Sequence, residues 1–378
     1  MLLKNAKLYQ TNTRRFIPGD LLVEDGVIRA IGTIHAQTGE VVDLGGACVA
    51  PGLVDVHTHG RAGYDFVSCN ADAYGVMAAD YARHGVTTVM PTLASAPYEE
   101  MLAATERLCR HESEKTEASF LGVHWEGRYL NPEKRGAHAT TLLAPLDPAE
   151  LDAPILRRCG ALHISAALEL DGDGHFAEQA RAIGATLGLG HTCATYAQAK
   201  LAEKRGIVSY THLFNAMPPL HHRDGGAVCA ALEGDCFAEL ICDGIHIAPE
   251  MIRLAVRAKG ISRVTLISDS MEATGAADGE YTIAGEPVTV KGGIARTHGG
   301  ALAGSTLTLD GAVNNLISFC NLSLADALLA ATANPAKQVG IFDRVGSLEE
   351  GKQADLLVLK DTDRLDIDRV MVRGRWLS

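Results

Sequence analysis

Apolar and polar positions follow one texture at the two ends of the chain and another in its middle. Over the first fifty residues the apolar runs are short: Leu2-Leu3, Asp20 to Glu24, Val27 to Gly32 and Glu40 to Leu44, with Asp25-Gly26 as a turn signal. The same texture returns over Ala354 to Leu359 and Asp366 to Gly374, after the punctuating Gly346 and Gly351. Chain ends commonly lie close together at a domain surface, so these two stretches predict one small sheet domain made of residues 1–50 and 341–378.

The middle, residues 51–340, alternates strand-like runs with helix-sized segments. Candidate strands are 53–56, 87–90, 120–123, 162–165, 186–189, 207–210, 237–241 and 264–267. Gly188 weakens the fifth of them, because glycine lowers strand propensity. Helices are predicted over 71–82, 98–110, 194–204 and 249–259, where apolar residues recur at three- and four-residue steps. Eight such alternations point to an α/β fold, a (β/α)₈ TIM-like barrel. A doubly wound open sheet is the alternative, but no Gly-rich dinucleotide fingerprint follows any strand.

Composition narrows the function. Hydrophobic residues at 47% and charged residues at 21% suit a packed globular chain of 378 residues. The formal charge of −12, from 46 acidic against 34 basic side chains, disfavours a nucleic-acid binder, yet leaves room for a small anion held by a few local cations. The apolar run at 45–54 stops short of a bilayer span, so no membrane partner is expected. Nine scattered cysteines without a CxxC pair, and no leader-like start, predict free thiols in a reducing cytoplasm.

The polar residues at the ends of the candidate strands carry the chemistry. His57 and His59 follow the first, Glu126 the third, His191 the fifth, His212 the sixth and Asp269 the eighth. In a barrel these ends meet at the C-terminal mouth, where such enzymes build their sites. His57 and His59 point the same way in extended chain, because the side-chain period is two, and so both reach one ion. Imidazole and carboxylate donors of this kind bind zinc or a similar divalent ion, which makes a coordinated water acidic near neutrality. Asp269 suits a general base beside that water, or else a ligand or an orienter of one. On the loops, His138 is a candidate to polarise a scissile carbonyl or recognise a hydroxyl. His246, Asn215 and the backbone at Ala216 are candidates to hold ligand oxygens, and Arg223 to clamp a phosphate with its fork of donors.

Together these residues resemble the N-acetylglucosamine-6-phosphate deacetylase family of the amidohydrolase superfamily, over nearly the whole chain. The likeness rests on PGLVDVHTHG at 51–60, GVTTVMPT at 85–92, HWEG at 124–127, GAH at 136–138, GHT at 190–192, THLFNAM at 211–217, DGIH at 243–246, LISD at 266–269 and LAGSTLTLD at 302–310. The closing run GSLEEGKQADLLVL at 346–359 is similar to the superfamily's return to its small β-sandwich. By this resemblance Glu126, His191 and His212 would hold the principal ion, with zinc expected and Fe²⁺ or another divalent ion as alternatives. The retained His57 and His59 would allow a second ion, and Asp269 would be the catalytic acid and base as well as a candidate ligand. His138 would contact the N-acetyl carbonyl, and His246 would help bind the sugar. Asn215, Ala216 and Arg223 would receive the phosphate, in a homodimer whose contact brings Arg223 and His246 to a neighbour's site.

Two departures from the family pattern stand out: Arg128 where HxEGP has proline, and Ala167-Leu168-Glu169 where an APE-like sequence is usual. Loss of proline frees the loop, and the arginine is a candidate anion contact or ion-pair partner. The expected reaction is hydrolysis of N-acetyl-D-glucosamine 6-phosphate to acetate and the amino-sugar phosphate. The galactosamine epimer and a non-catalytic metal-binding scaffold are the alternatives. A cyclic-amide hydrolase is disfavoured, because no lysine ends a barrel strand to serve as a carbamylated bridge.

Overall fold

The computed structural model describes residues 1–35, 39–114 and 116–377. Eight parallel strands form its centre: β1 (Leu53–Thr58), β2 (Val86–Ala94), β3 (Gly122–Glu126), β4 (Ala161–Ala166), β5 (Thr186–Leu189), β6 (Ile207–Tyr210), β7 (Phe237–Ile241) and β8 (Val264–Ile267). Each pairs in parallel with the next. Among the described residues no ladder joins β8 to β1. That seam is closed at the mouth, where the Asp269 amide donates to the His57 carbonyl (2.9 Å) and the His59 amide to the Ser270 carbonyl (2.7 Å). The closure sets two predicted site segments side by side.

Helices cover the barrel with the faces that their spacing predicts. Ala71–Arg83 starts at Asn70, whose side chain accepts the Ala73 amide, and buries Tyr74, Met77, Ala78 and Tyr81. Tyr196–Lys204 is opened by a reciprocal Thr195/Gln198 capping box. All of β1 and β2 is buried, as expected of barrel strands packed on both faces.

The chain ends share one sheet. Its order is Arg375–Trp376, Asp366–Val372, Leu356–Asp361, Cys48–Pro51, Leu2–Gln10, Arg15–Glu24 and Val27–Gly32, with Val41–Asp43 beside Leu2–Gln10. Cys48–Pro51 pairs antiparallel with Leu356–Asp361 and so ties the two ends together. Leu3, Leu8, Leu21, Val49, Leu356 and Met371 pack into the separate core of this unit.

Three local findings differ from the sequence reading. The third barrel strand lies at Gly122–Glu126, not 120–123, so Glu126 is its last residue. A three-stranded antiparallel sheet, Gly279–Ile283, Glu286–Lys291 and Ile294–Thr297, follows β8. Its turns are Ala284-Gly285 and Gly292-Gly293, all at positive φ, and alternation of period two runs through it, but the barrel pattern has already ended there. Finally, Cys109 and Cys159 are paired in a disulfide, correcting the expectation of free thiols throughout. The end of helix Tyr98–Arg110 packs beside the approach to β4 and brings the two Cα atoms to 5.0 Å, a proximity that a separation of 50 residues conceals.

Candidate active site

At the barrel mouth Glu126 stands between two groups of histidines. On one flank its carboxylate lies 3.3 Å from His57 Nε2 and 3.0 Å from His59 Nε2. Asp269 Oδ1 is 3.5 and 3.2 Å from the same two nitrogens. On the other flank Glu126 Oε1 is 3.3 Å from His191 Nε2 and 2.9 Å from His212 Nε2, and those nitrogens are 2.9 Å apart. Both groups offer donor atoms close enough to share a cation, and every member is buried.

Hydrogen bonds behind the cluster set which nitrogens face it. The Lys134 carbonyl accepts from His191 Nδ1 (2.8 Å), because a carbonyl cannot donate. The lone pair of His191 is thereby left on Nε2. Glu239 Oε2 accepts from His57 Nδ1 (3.2 Å) and from the His212 amide (3.2 Å), while its Oε1 accepts from Gln338 Nε2 (2.6 Å). His57 Nε2 is a buried nitrogen without a hydrogen-bond partner, aimed at two carboxylates. A lone pair so placed is repelled unless a proton or a metal ion intervenes.

The electrostatics express the same demand for positive charge. Burial pushes the His59 imidazole down, but Asp269 and Glu126 outweigh it and hold the group up at about 9; His57 is likewise held well above its usual range. Burial raises Glu126 and Asp269, yet the surrounding histidines, His57 foremost, keep both below the ordinary carboxylate range. A divalent cation meets this demand, and the oxygen and nitrogen donors fit one.

His138 has the opposite character. The Ser95 amide donates to His138 Nδ1 (3.3 Å), which makes that nitrogen an acceptor, so Ser95 Oγ, which itself accepts the Arg128 amide (3.0 Å), donates its proton to the same nitrogen (2.8 Å). The proton of the neutral ring therefore sits on Nε2, 3.8 Å from Glu126. Burial, with the field of His191 added, drives His138 down to about 3, so it is a neutral donor at physiological pH.

A cleft of about 390 Å³ opens over the cluster, bordered also by His138, Asn215, Ala216, His246 and Lys134. His246 belongs to this chain's own cleft, held by Asp243 Oδ2 at 2.7 Å. Arg223 does not border it: the side chain is exposed, with Nη1 2.7 Å from His222 Nε2. Arg128 pairs with Glu150 (2.9 and 3.3 Å), the ion-pair alternative of the two that its sequence position offers.

Glu239 and Ser95 escaped the sequence reading as site residues, and Glu169 entered it only within the Ala167-Leu168-Glu169 departure from the family pattern. Glu169 accepts from Thr192 Oγ1, the Cys193 amide and Asn131 Nδ2 and so shapes the His191 loop. Glu239 left a signal as a lone charge within an apolar strand, and Ser95 left none. His191, His212 and Asp269 all sit at positive φ (47, 31 and 48°), a region that non-glycine residues seldom occupy and that clusters at functional sites.

Comparison with known proteins agrees with this architecture. The model of the Amidohydrolase family matches residues 48–377. The N-acetylglucosamine-6-phosphate deacetylase of Vibrio furnissii is 36% identical, over 93% of this chain and 88% of its own. The N-acetylgalactosamine-6-phosphate deacetylase of Escherichia coli O157:H7 is 35% identical over 95% and 94%. Among solved structures, a mutant N-acetyl-D-glucosamine-6-phosphate deacetylase from Mycobacterium smegmatis, in complex with N-acetyl-D-glucosamine-6-phosphate, superposes with a TM-score of 0.89 at 33% identity, covering 100% of this chain and 98% of that one. A hydrolytic barrel with a divalent-cation donor set at its mouth and relatives of this kind have one common meaning: the chain belongs to the amidohydrolase family and, within it, to the N-acetylglucosamine-6-phosphate deacetylase family.

Proposed function

We propose that the protein hydrolyses the N-acetyl group of N-acetyl-D-glucosamine 6-phosphate, releasing acetate and D-glucosamine 6-phosphate. The observation that carries this reading is the Glu126-centred donor set under one cleft, with a neutral His138 and an ionised Asp269 on its border. Glu126, His191 and His212 would hold the principal ion; His57 and His59, with Glu126 and Asp269, would hold a second. Zinc suits these nitrogen and oxygen donors, with Fe²⁺ the alternative that metal analysis distinguishes. When bound, such an ion supplies Lewis acidity and an acidified water.

The chain's own residues do the rest. His138 donates from Nε2 to the acetyl oxygen and steadies the negative charge that grows there. Asp269 takes a proton from the attacking water and returns it to the departing amine. Asn215, the Ala216 backbone and His246 hold the sugar phosphate, which keeps the amide in line with these groups. Arg223, exposed and outside its own cleft, would reach the phosphate in the neighbouring subunit of a homodimer.

Residues 1–50 with 341–378 act as the β-sandwich domain and 51–340 as the catalytic barrel, supported by the pairing of Cys48–Pro51 with Leu356–Asp361. A cytoplasmic location goes with a sugar-phosphate substrate, although the Cys109–Cys159 pair is a feature a reducing compartment opposes. No helix among the described residues is long and apolar enough to cross a membrane.

The test is acetate release from the glucosamine and galactosamine forms, each with and without the phosphate, on protein of measured metal content. Turnover led by the phosphorylated glucosamine form is expected. Preference for the galactosamine epimer would correct the sugar, and no turnover of any phosphorylated form would sink the reading.

A further inference from the structure

A second cavity, of about 290 Å³, lies beside the substrate cleft and shares His59 and Ile283 with it. Its inner wall is buried: Thr92, Ala94, Ala96 and Met271 are all at most 5% exposed. Its rim carries the carboxylates of Asp65, Glu100 and Glu272. None of the groups proposed to bind the sugar phosphate borders it.

The geometry of amide hydrolysis says what this chamber could receive. Attack of water makes the carbonyl carbon tetrahedral, with four substituents that diverge. With the groups in the roles proposed above, the oxygen would face His138, the nitrogen would lead back to the sugar over Asn215 and His246, and the acyl carbon would point away from the sugar. The neighbouring cavity, which shares His59 and Ile283 with the cleft, has an apolar inner wall and is large enough for several water-sized groups at roughly 30 Å³ each. An acetyl methyl fills little of it.

We infer that the protein also hydrolyses amino-sugar 6-phosphates carrying neutral N-acyl chains longer than acetyl, such as propionyl and butyryl, with the chain lodged between Ala96, Met271 and Val67. This inference rests on the deacetylase reading and adds a substrate class to it. The step balances as it does for acetyl: water adds to the carbonyl carbon, the C–N bond breaks, the amine takes the proton, and a longer fatty acid leaves in place of acetate. The carboxylates at the rim repel an acyl chain that ends in its own carboxylate, so N-succinyl substrates are excluded.

The experiment measures release of free amine from N-acetyl-, N-propionyl-, N-butyryl- and N-succinyl-glucosamine 6-phosphate. The butyryl substrate is expected within ~10-fold of acetyl in kcat/KM, whereas a site with no room for its two added methylenes would lose roughly 100-fold or more. Ala96→Leu and Val67→Phe narrow the chamber without touching the proposed catalytic groups. Each should lower the butyryl-to-acetyl ratio by ~10-fold or more while acetyl turnover and the circular dichroism spectrum hold. Val67 is only half-buried, so its variant remains informative if Ala96→Leu fails to fold. Acetyl turnover without butyryl turnover overturns the inference alone, as does a ratio that neither variant moves or a succinyl substrate used as well as the butyryl one. No turnover of any substrate overturns the deacetylase reading and the inference with it.

Discussion

The two flanks of Glu126 draw on the same carboxylate but are built differently. His57 and His59 come from one strand end, two residues apart, and share their space with Asp269. His191 and His212 come from two strand ends, each at positive φ, with no second carboxylate between them. An ion on the second flank would leave Asp269 free for the proton transfer proposed for it, whereas one on the first, whose donor set includes Asp269, would engage it. The flank that looks most like a metal motif in sequence is therefore the one whose occupation would compete with the proposed acid–base group. Glu239 couples the two, since one oxygen accepts from both the His57 ring and the His212 amide.

The sharpest way to break this comparison is to remove one flank at a time. His212→Ala should lose the principal ion together with nearly all turnover, measured by metal content and acetate release, whereas His59→Gln should lose at most a second equivalent of metal. Equal metal loss in both would erase the distinction between the flanks. Asp269→Asn should lower kcat by roughly 10²- to 10⁴-fold with the ion on the His191 and His212 flank retained. Loss of that ion would instead make Asp269 chiefly a ligand.

Smaller effects probe the coupling. Glu239→Gln should weaken metal affinity by about 10- to 100-fold, because the carboxylate that orients His57 and pins the His212 amide is lost. A metal titration showing unchanged affinity would remove Glu239 from the site. In chelator-treated protein His59 is held at about 9, above its unfolded value near ~6.5. Its contribution to stability is then fully present below about 6.5 and lost as pH rises through about 9. Thermal unfolding between these pH values should show that decline in the wild type, less of it in His59→Gln, and none if the flank carries no such charge.

Much of the barrel was legible because its strands are short apolar runs between turn residues: 186–189, 207–210, 237–241 and 264–267 fall where the sequence places them. His57 and His59 were legible because a period of two puts both on one side of an extended segment. Glu239 was not, since a charge inside an apolar strand has no local partner to explain it, and His57 and Gln338 lie 182 and 99 residues away. Ser95 was silent for the same reason. Arg128 was legible as an anion contact or an ion-pair partner, and only the fold supplies Glu150 for the second.

By itself, then, the sequence determined the alternation that builds the barrel, the meeting of the chain ends, and a set of residues with metal-ligand chemistry at strand ends. Those are properties of local periodicity and side-chain type. The tertiary structure decided that Glu126 stands between two flanks, that His138 carries its proton on Nε2, that Arg223 lies outside its own cleft, and that a second chamber with an apolar inner wall shares His59 with that cleft. Each of these depends on distances between segments far apart in the chain, which the closing of the barrel sets.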